Sequence, residues 1–314
     1  LCIIAAVAAV ALAAPEADFV PALPGLTEPF KSKLYSGYFP VGDGSKFLHY
    51  QFIESERDLA NDPIVFSYNG GPGCSSLDAF FYEQGPFRFS PADPKANETL
   101  TLAYNPDRWN RIANIVFVES PAGVGYSYAN DASGLRTNDN ITAENNYEFV
   151  VNWLKAYPEY STNDVFIWGE SYAGIYVPTL AEQIMVKGQV NLKGFMVGNG
   201  CTGNAVGACS NQGNKIRSDF LFGRGLFSEA LKKKIDAACP DMAHPSAACD
   251  AALLEQGEEV GNVNIYNIAG PCVAGDDSKK TAMWRISPKT NVVGGPIECI
   301  DAIAAGRYLN MEDV

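Results

Sequence analysis

The residues best suited to covalent chemistry are Gly169-Glu170-Ser171-Tyr172-Ala173-Gly174. They follow a short apolar run at 165–168 and open a segment of helical texture that extends to about residue 187. Small residues two before and two after Ser171 let a strand and a helix approach closely, so that the turn between them lifts Oγ clear of the sheet. The backbone N–H of Tyr172 then lies at a helix N-terminus, where it can stabilise an oxyanion. The plainer alternative is a glycine-rich turn whose serine caps the helix. A second element, Asn69-Gly70-Gly71-Pro72-Gly73-Cys74-Ser75-Ser76, directly follows the apolar run 64–68. Its glycines allow the backbone to approach a ligand and present N–H groups to it. Phosphate cradling is the rival reading, but neither the Gly-Lys-Ser/Thr ending nor a Gly-x-Gly-x-x-Gly helix start is present. An oxyanion loop fits better, with Gly71 as the second donor. The chemistry these two elements predict is acyl transfer from a serine nucleophile.

The elements that must position them are legible as short runs. Residues 33–39 and 46–53 are rich in β-formers and flank the turn cluster Val41-Gly42-Asp43-Gly44-Ser45, which reads as an antiparallel hairpin at a sheet edge. The runs 64–68, 115–118 and 165–168 are continuously apolar, as strands covered on both faces are. Between the last two, residues 141–157 carry Tyr147, Phe149, Val150, Val151, Trp153 and Leu154 at helical spacing, and Pro158 stops the helix. A fourth strand is predicted over 192–197. Alternating strands and helices make a mostly parallel, doubly wound sheet. After Gly200 the texture changes to cysteines, glycines and alanine-rich stretches, with one helix predicted over 228–238. The expected organisation is a segment 1–14 outside the fold, an α/β core over 15–200, an inserted cap over 201–298, and a return towards the core over 299–314.

Composition excludes several function classes. The formal net charge is −13, from 23 Lys and Arg against 36 Asp and Glu, and no basic stripe exists for a nucleic-acid backbone. Residues 3–14 form an apolar run that ends in Ala11-Leu12-Ala13 before Pro15. It is far short of the roughly 20 residues that span a bilayer and reads as the core of a signal peptide. No other segment is apolar enough to cross a membrane. Beyond it lie Cys74, Cys201, Cys209, Cys239, Cys249, Cys272 and Cys299, for which disulfides are the expected use on a secretory route. The sequons at Asn97 and Asn140 agree with that route. The only histidines are His49 and His244, and no CxxC pair occurs, so no zinc site is expected, and serine acyl chemistry calls for no metal or organic cofactor.

Four motifs in order carry a specific resemblance: residues 69–76, Glu119-Ser120-Pro121-Ala122-Gly123-Val124-Gly125-Tyr126-Ser127-Tyr128, residues 169–178, and Val197-Gly198-Asn199-Gly200. Together they resemble the serine carboxypeptidase family, most closely its lysosomal protective protein branch. The similarity runs from about Tyr35 to Gly200 and resumes with Asn264-Ile265-Tyr266-Asn267 and Cys299. The resemblance implies an α/β-hydrolase fold with an inserted cap, incomplete at its C-terminus, and peptide substrates with a free C-terminus. It implies Ser171 as nucleophile and Gly71 and Tyr172 as oxyanion donors. Asn69, the Gly70 N–H, Glu83 and Glu170 would bind the substrate carboxylate, and Cys74 would bridge to Cys299. Cys249–Cys272 is a reasonable second pair, while Cys201, Cys209 and Cys239 stay unassigned. Two carboxyls holding a third cannot all be ionised, so Glu83 and Glu170 are expected to share protons and to favour peptides at acidic pH.

The sequence departs from that pattern in one respect. The expected chain order is Ser, then Asp, then His, yet no histidine follows Ser171 except His244 among the cap cysteines. His49 lies far upstream and reads as a structural strand residue. The chain is therefore expected to be a piece that lacks two members of its triad and is inactive alone. Alternatives on the same scaffold are an acyltransferase, or a non-catalytic binding or protective protein. A lysosomal, vacuolar or extracellular destination fits equally, and a homodimer is compatible with the sequence.

Overall fold

A strand covered on both faces has no solvent side to spare, and residues Ile64–Tyr68 and Asn114–Val118 are buried at every position. They form the middle of the sheet in a computed structural model that describes residues 15–90, 100–203, 207–264, 266–269, 303–312 and 314. In chain order the strands are β1 (Phe19–Val20), β2 (Leu34–Val41), β3 (Lys46–Ile53), β4 (Ile64–Tyr68), β5 (Phe87–Ser90), β6 (Thr101–Tyr104), β7 (Asn114–Val118), β8 (Tyr128–Ala129), β9 (Val165–Glu170) and β10 (Leu192–Gly198). The helices are α1 (Leu77–Tyr82), α2 (Asp139–Ala156), α3 (Ala173–Lys187), α4 (Gly213–Gly223), α5 (Glu229–Ala238), α6 (Ala247–Val260) and α7 (Ile303–Tyr308).

The main sheet runs β1-β2-β3-β7-β4-β9-β10, with β8 paired to β3. Strands β7, β4, β9 and β10 are mutually parallel, and the β2–β3 hairpin joins them antiparallel through β3–β7. The two-residue β1 lies outside the hairpin and is the outermost strand on that side. Helices α2 and α3 cover one face. Trp153 and Phe149 of α2 meet Phe52 and Phe66 edge-on, in one core cluster with Val177 and Leu180 of α3. The other face is covered by α1, the β5–β6 ribbon and α7, through Phe80, Phe81, Phe89 and Tyr308.

The anticipated strands and both core helices are present: β3 and β4 keep the expected bounds, and the others shift at their ends by one or two residues. α2 begins at Asp139 because the Asn138 side chain accepts the Ile141 N–H, a cap placed ahead of the apolar pattern. The ribbon β5–β6 and helix α1 were not anticipated. Among the described residues after Gly200 there are three helices where one was expected: α4 and α6 flank α5 around Leu221, Leu231, Ile235 and Ala252. No described helix is long and apolar enough to cross a membrane.

The disulfides correct one expectation. Cys249 is bonded to Cys239, not to Cys272, which lies outside the described residues. The reason is the α5–α6 turn: Cys239 ends α5, Cys249 opens α6, and their Cα atoms come within 4.8 Å. Cys201 pairs with Cys209. Cys74 has no disulfide among the described residues, and its expected partner Cys299 lies outside them. Of the sequons, Asn97 is outside the described residues, while Asn140 is exposed in the first turn of α2.

Candidate active site

Strands β4 and β9 are parallel neighbours in a register that sets Tyr68 against Gly169. The segments that follow them, 69–76 and 170–174, therefore leave the sheet side by side at its C-terminal edge. Such an edge is where ligands bind in open parallel sheets. The turn after β9 is tight. A Cβ on Gly169 would stand 2.4 Å from Ala173 Cβ and 2.7 Å from the Tyr68 carbonyl oxygen. Ser171 adopts φ +76°, a left-handed conformation that costs a residue with a side chain roughly 1–2 kcal/mol. Three backbone hydrogen bonds hold it there: its N–H donates to Gly198 O (3.1 Å), and its carbonyl accepts from Cys201 N (2.8 Å) and Gly174 N (2.9 Å).

The glycine-rich loop closes on the elbow. A Cβ on Gly70 would meet Tyr172 N at 2.5 Å, Glu170 O at 2.6 Å and Ser171 Cβ at 2.8 Å. The loop folds back through Cys74 N–H to Gly70 O (3.0 Å). Among the described residues no protein acceptor takes the N–H of Gly71 or Tyr172. Tyr172 directly precedes α3, whose N-terminal end faces this corner.

Carboxyls crowd the same corner. Glu83 caps the end of α1 and accepts a hydrogen bond from Asn69 Nδ2 at 3.2 Å. Burial and the neighbouring Glu170, with a smaller push from Asp78, raise its pKa to about 7 against the pull of Asn69. With its amide turned to satisfy its neighbours, Gln84 donates to Glu83 Oε2 (3.1 Å) and accepts from Trp168 Nε1 (2.9 Å). Burial also raises Glu170 above the ordinary glutamate range. Asp78 is pushed up to about 6 by burial, Glu119 and Glu170. The Cys74 thiol is raised to about 11 by burial and then by Asp78, Glu170 and Glu83.

The geometry thus brings Asn69, Gly70, Gly71, Glu83, Glu170, Ser171 and Tyr172 to one corner of the sheet. The sequence reading missed Asp78 and Tyr266. Burial first, then Cys74, Glu170 and Asp78, raise the Tyr266 hydroxyl above its ordinary value. Its signal was the Asn264-Ile265-Tyr266-Asn267 motif, read only as a mark of resemblance. Neither histidine bonds to Ser171. His49 is buried against Glu119 and Ser36, and His244 is exposed beside Asp241 at 3.0 Å. Among the described residues no group of His, Cys, Asp or Glu is arranged to hold a metal ion.

Comparison with known proteins adds the family. The profile of the family described as Peptidase_S10, serine carboxypeptidase, matches residues 24–314. Serine carboxypeptidase-like 20 of Arabidopsis thaliana is 41% identical over 272 residues, covering 83% of this chain and 53% of that protein. The lysosomal protective protein of Mus musculus is 42% identical over 273 residues, covering 84% of this chain and 54% of that protein. The chain spans about half the length of the curated relatives it matches. The crystal structure of Kex1(delta)p, a prohormone-processing carboxypeptidase from Saccharomyces cerevisiae, superposes with a TM-score of 0.59 at 23% identity. That match covers 77% of this chain and 56% of the other, and shows a shared α/β-hydrolase fold. With a profile match that takes in every element from β2 onward and relatives above 40% identity, the chain belongs to the serine carboxypeptidase family.

Proposed function

We propose that the protein is a serine-type carboxypeptidase that releases C-terminal residues from peptides through an acyl-enzyme on Ser171. The observation that carries this reading is the meeting of a strained, elbow-mounted serine with two raised carboxyls at the ends of adjacent parallel strands. In the reaction, Ser171 Oγ attacks the last peptide carbonyl, and the Gly71 and Tyr172 N–H groups receive the oxyanion. The peptide C–N bond breaks, the amine leaves with a proton, and water then hydrolyses the ester. The free C-terminal carboxylate is held by Asn69, the Gly70 N–H, Glu83 and Glu170. A protonated Glu83 can donate to that carboxylate, whereas an ionised one repels it. That arrangement serves a carboxypeptidase and is of no use to acyl transfer from an ester donor, which favours the hydrolase reading.

A base must take the Oγ proton, and both histidines of this chain are engaged elsewhere. We assign the base to a residue outside these 314 residues, and expect this chain alone to turn over little peptide. The two disulfides support passage through the secretory pathway, as do the relatives named above. A lysosomal, vacuolar or extracellular destination follows, with a glycan at the exposed Asn140.

The test is release of a C-terminal amino acid from an N-blocked dipeptide by the full-length protein at acidic pH. Turnover lost in Ser171→Ala supports the assignment. Undiminished turnover in that variant would remove Ser171 from the mechanism.

A further inference from the structure

Glu119 heads the Glu-Ser-Pro-Ala-Gly motif, and the chemistry above does not use it. It stands at the C-terminal end of β7 and is 0% exposed. A buried carboxylate is costly unless its oxygens are satisfied. Here both are. Oε2 accepts the Tyr126 N–H at 2.9 Å and lies 2.9 Å from His49 Nδ1, and Oε1 takes the Ser75 hydroxyl in a short hydrogen bond. Gly125 makes room, since a Cβ there would stand 1.8 Å from Glu119 Oε1. His49 is itself fixed: Nε2 lies 2.9 Å from Ser36 Oγ, and its ring sits 5.2 Å from both Tyr38 and Tyr126.

The far side of this hub is the glycine-rich loop. Ser75 Oγ also accepts the Leu77 N–H at 3.1 Å, tying the loop to the start of α1. Next to it, Ser76 Oγ donates to Val118 O at 2.6 Å and accepts the Asn69 N–H at 3.0 Å. Two consecutive serines thus pin the loop to the end of β7, one of them through an ionisable group. Hydrogen bonds to a carboxylate are roughly twice as strong as neutral ones.

We propose that Glu119 is a positioning residue. Oriented by His49 and the Tyr126 N–H, its carboxylate holds Ser75 and so fixes the loop conformation in which Gly71 presents its N–H beside Ser171. The catalytic part of this inference rests on the oxyanion role proposed above. The structural part, that Glu119 holds the loop, stands on the hydrogen bonds alone.

The experiment uses the full-length protein with Ser75→Ala, read by hydrogen exchange over 69–76 and by kcat on a blocked dipeptide. Expected are faster exchange confined to that loop, an unchanged thermal midpoint, and kcat lower by about tenfold, a part of what losing a whole oxyanion donor removes. Ser75→Thr, which restores the hydroxyl, returns both readouts towards wild type. Glu119→Gln, where it folds, shows the same loop signature. Wild-type exchange and kcat in Ser75→Ala would overturn the proposal. If the wild type itself turns over no peptide, the peptidase reading fails, while loop exchange in Ser75→Ala still decides whether Glu119 positions the loop.

Discussion

The α-carbon of Gly70 packs against Ser171 so closely that a single methyl group on it would stand 2.8 Å from the serine Cβ and 2.5 Å from the Tyr172 nitrogen. Loop and elbow are one packed unit, and neither can shift without the other. On the mechanism proposed above, Gly70→Ala in the full-length protein should displace the oxyanion donors relative to Oγ and cut kcat/KM by at least about 100-fold, as removal of one donor does. Steady-state kinetics on a blocked dipeptide, with circular dichroism to confirm folding, check this. Near-native turnover would show the two segments to be mechanically independent.

The Glu83 carboxyl gives a prediction with a definite sign. Its pKa in the fold, about 7, lies above the ordinary 4.5, so folding favours its protonated form. Its contribution to stability is complete below the ordinary value and is lost as pH rises through about 7. Wild-type stability should fall by about 1–3 kcal/mol across that window on this account, and Glu83→Gln should flatten the dependence. Urea melts on either side of the window measure it. Peptide KM should rise over the same range, while KM for an ester lacking a free carboxylate should not.

The Cys239–Cys249 bridge closes a short loop between α5 and α6. Replacing both cysteines with serine should cost the α4–α6 segment about 2–3 kcal/mol by the loop-entropy argument. Hydrogen exchange should quicken in α5 and α6 and stay unchanged in β4, β7 and β9. Uniform acceleration everywhere would mean that the α4–α6 segment and the sheet unfold as one unit.

Gly125 has φ +54° and lies against the Glu119 carboxylate. Gly125→Ala combines a strained backbone with a steric clash at the buried Glu119 carboxyl, and should destabilise by about 2–4 kcal/mol. Denaturant titration reads the loss. A change under half a kilocalorie would show that the motif loop can move aside at little cost.

Much of this frame was readable from residue types, and the limits are physical. Strand β4 and the β7 core are buried on both faces, which leaves an unbroken apolar signal that survives without context. Strands β5 and β6 alternate over only four residues each, so their period is too brief to separate from a loop. Helices α4 and α6 have few apolar anchors and pack on each other's neighbours, so their helicity depends on tertiary contact. The elbow was legible because Gly169, Ser171 and Ala173 are dictated locally by backbone approach. The link from Glu119 to Ser75 and His49 was not, because it joins three segments that only the sheet order brings together.

The register of Tyr68 against Gly169 has a temporal consequence. These partners are about a hundred residues apart in the chain, and β4 can seat only between two strands made after it, so the corner is assembled from long-range pairings that form late. The glycine-rich loop 69–76 is made about a hundred residues before the serine it packs against, and the two meet only when β9 pairs with β4. On the function proposed above, the pairing of β4 with β9 is therefore the folding step that brings Gly71 and Ser171 together, and no earlier intermediate holds that corner.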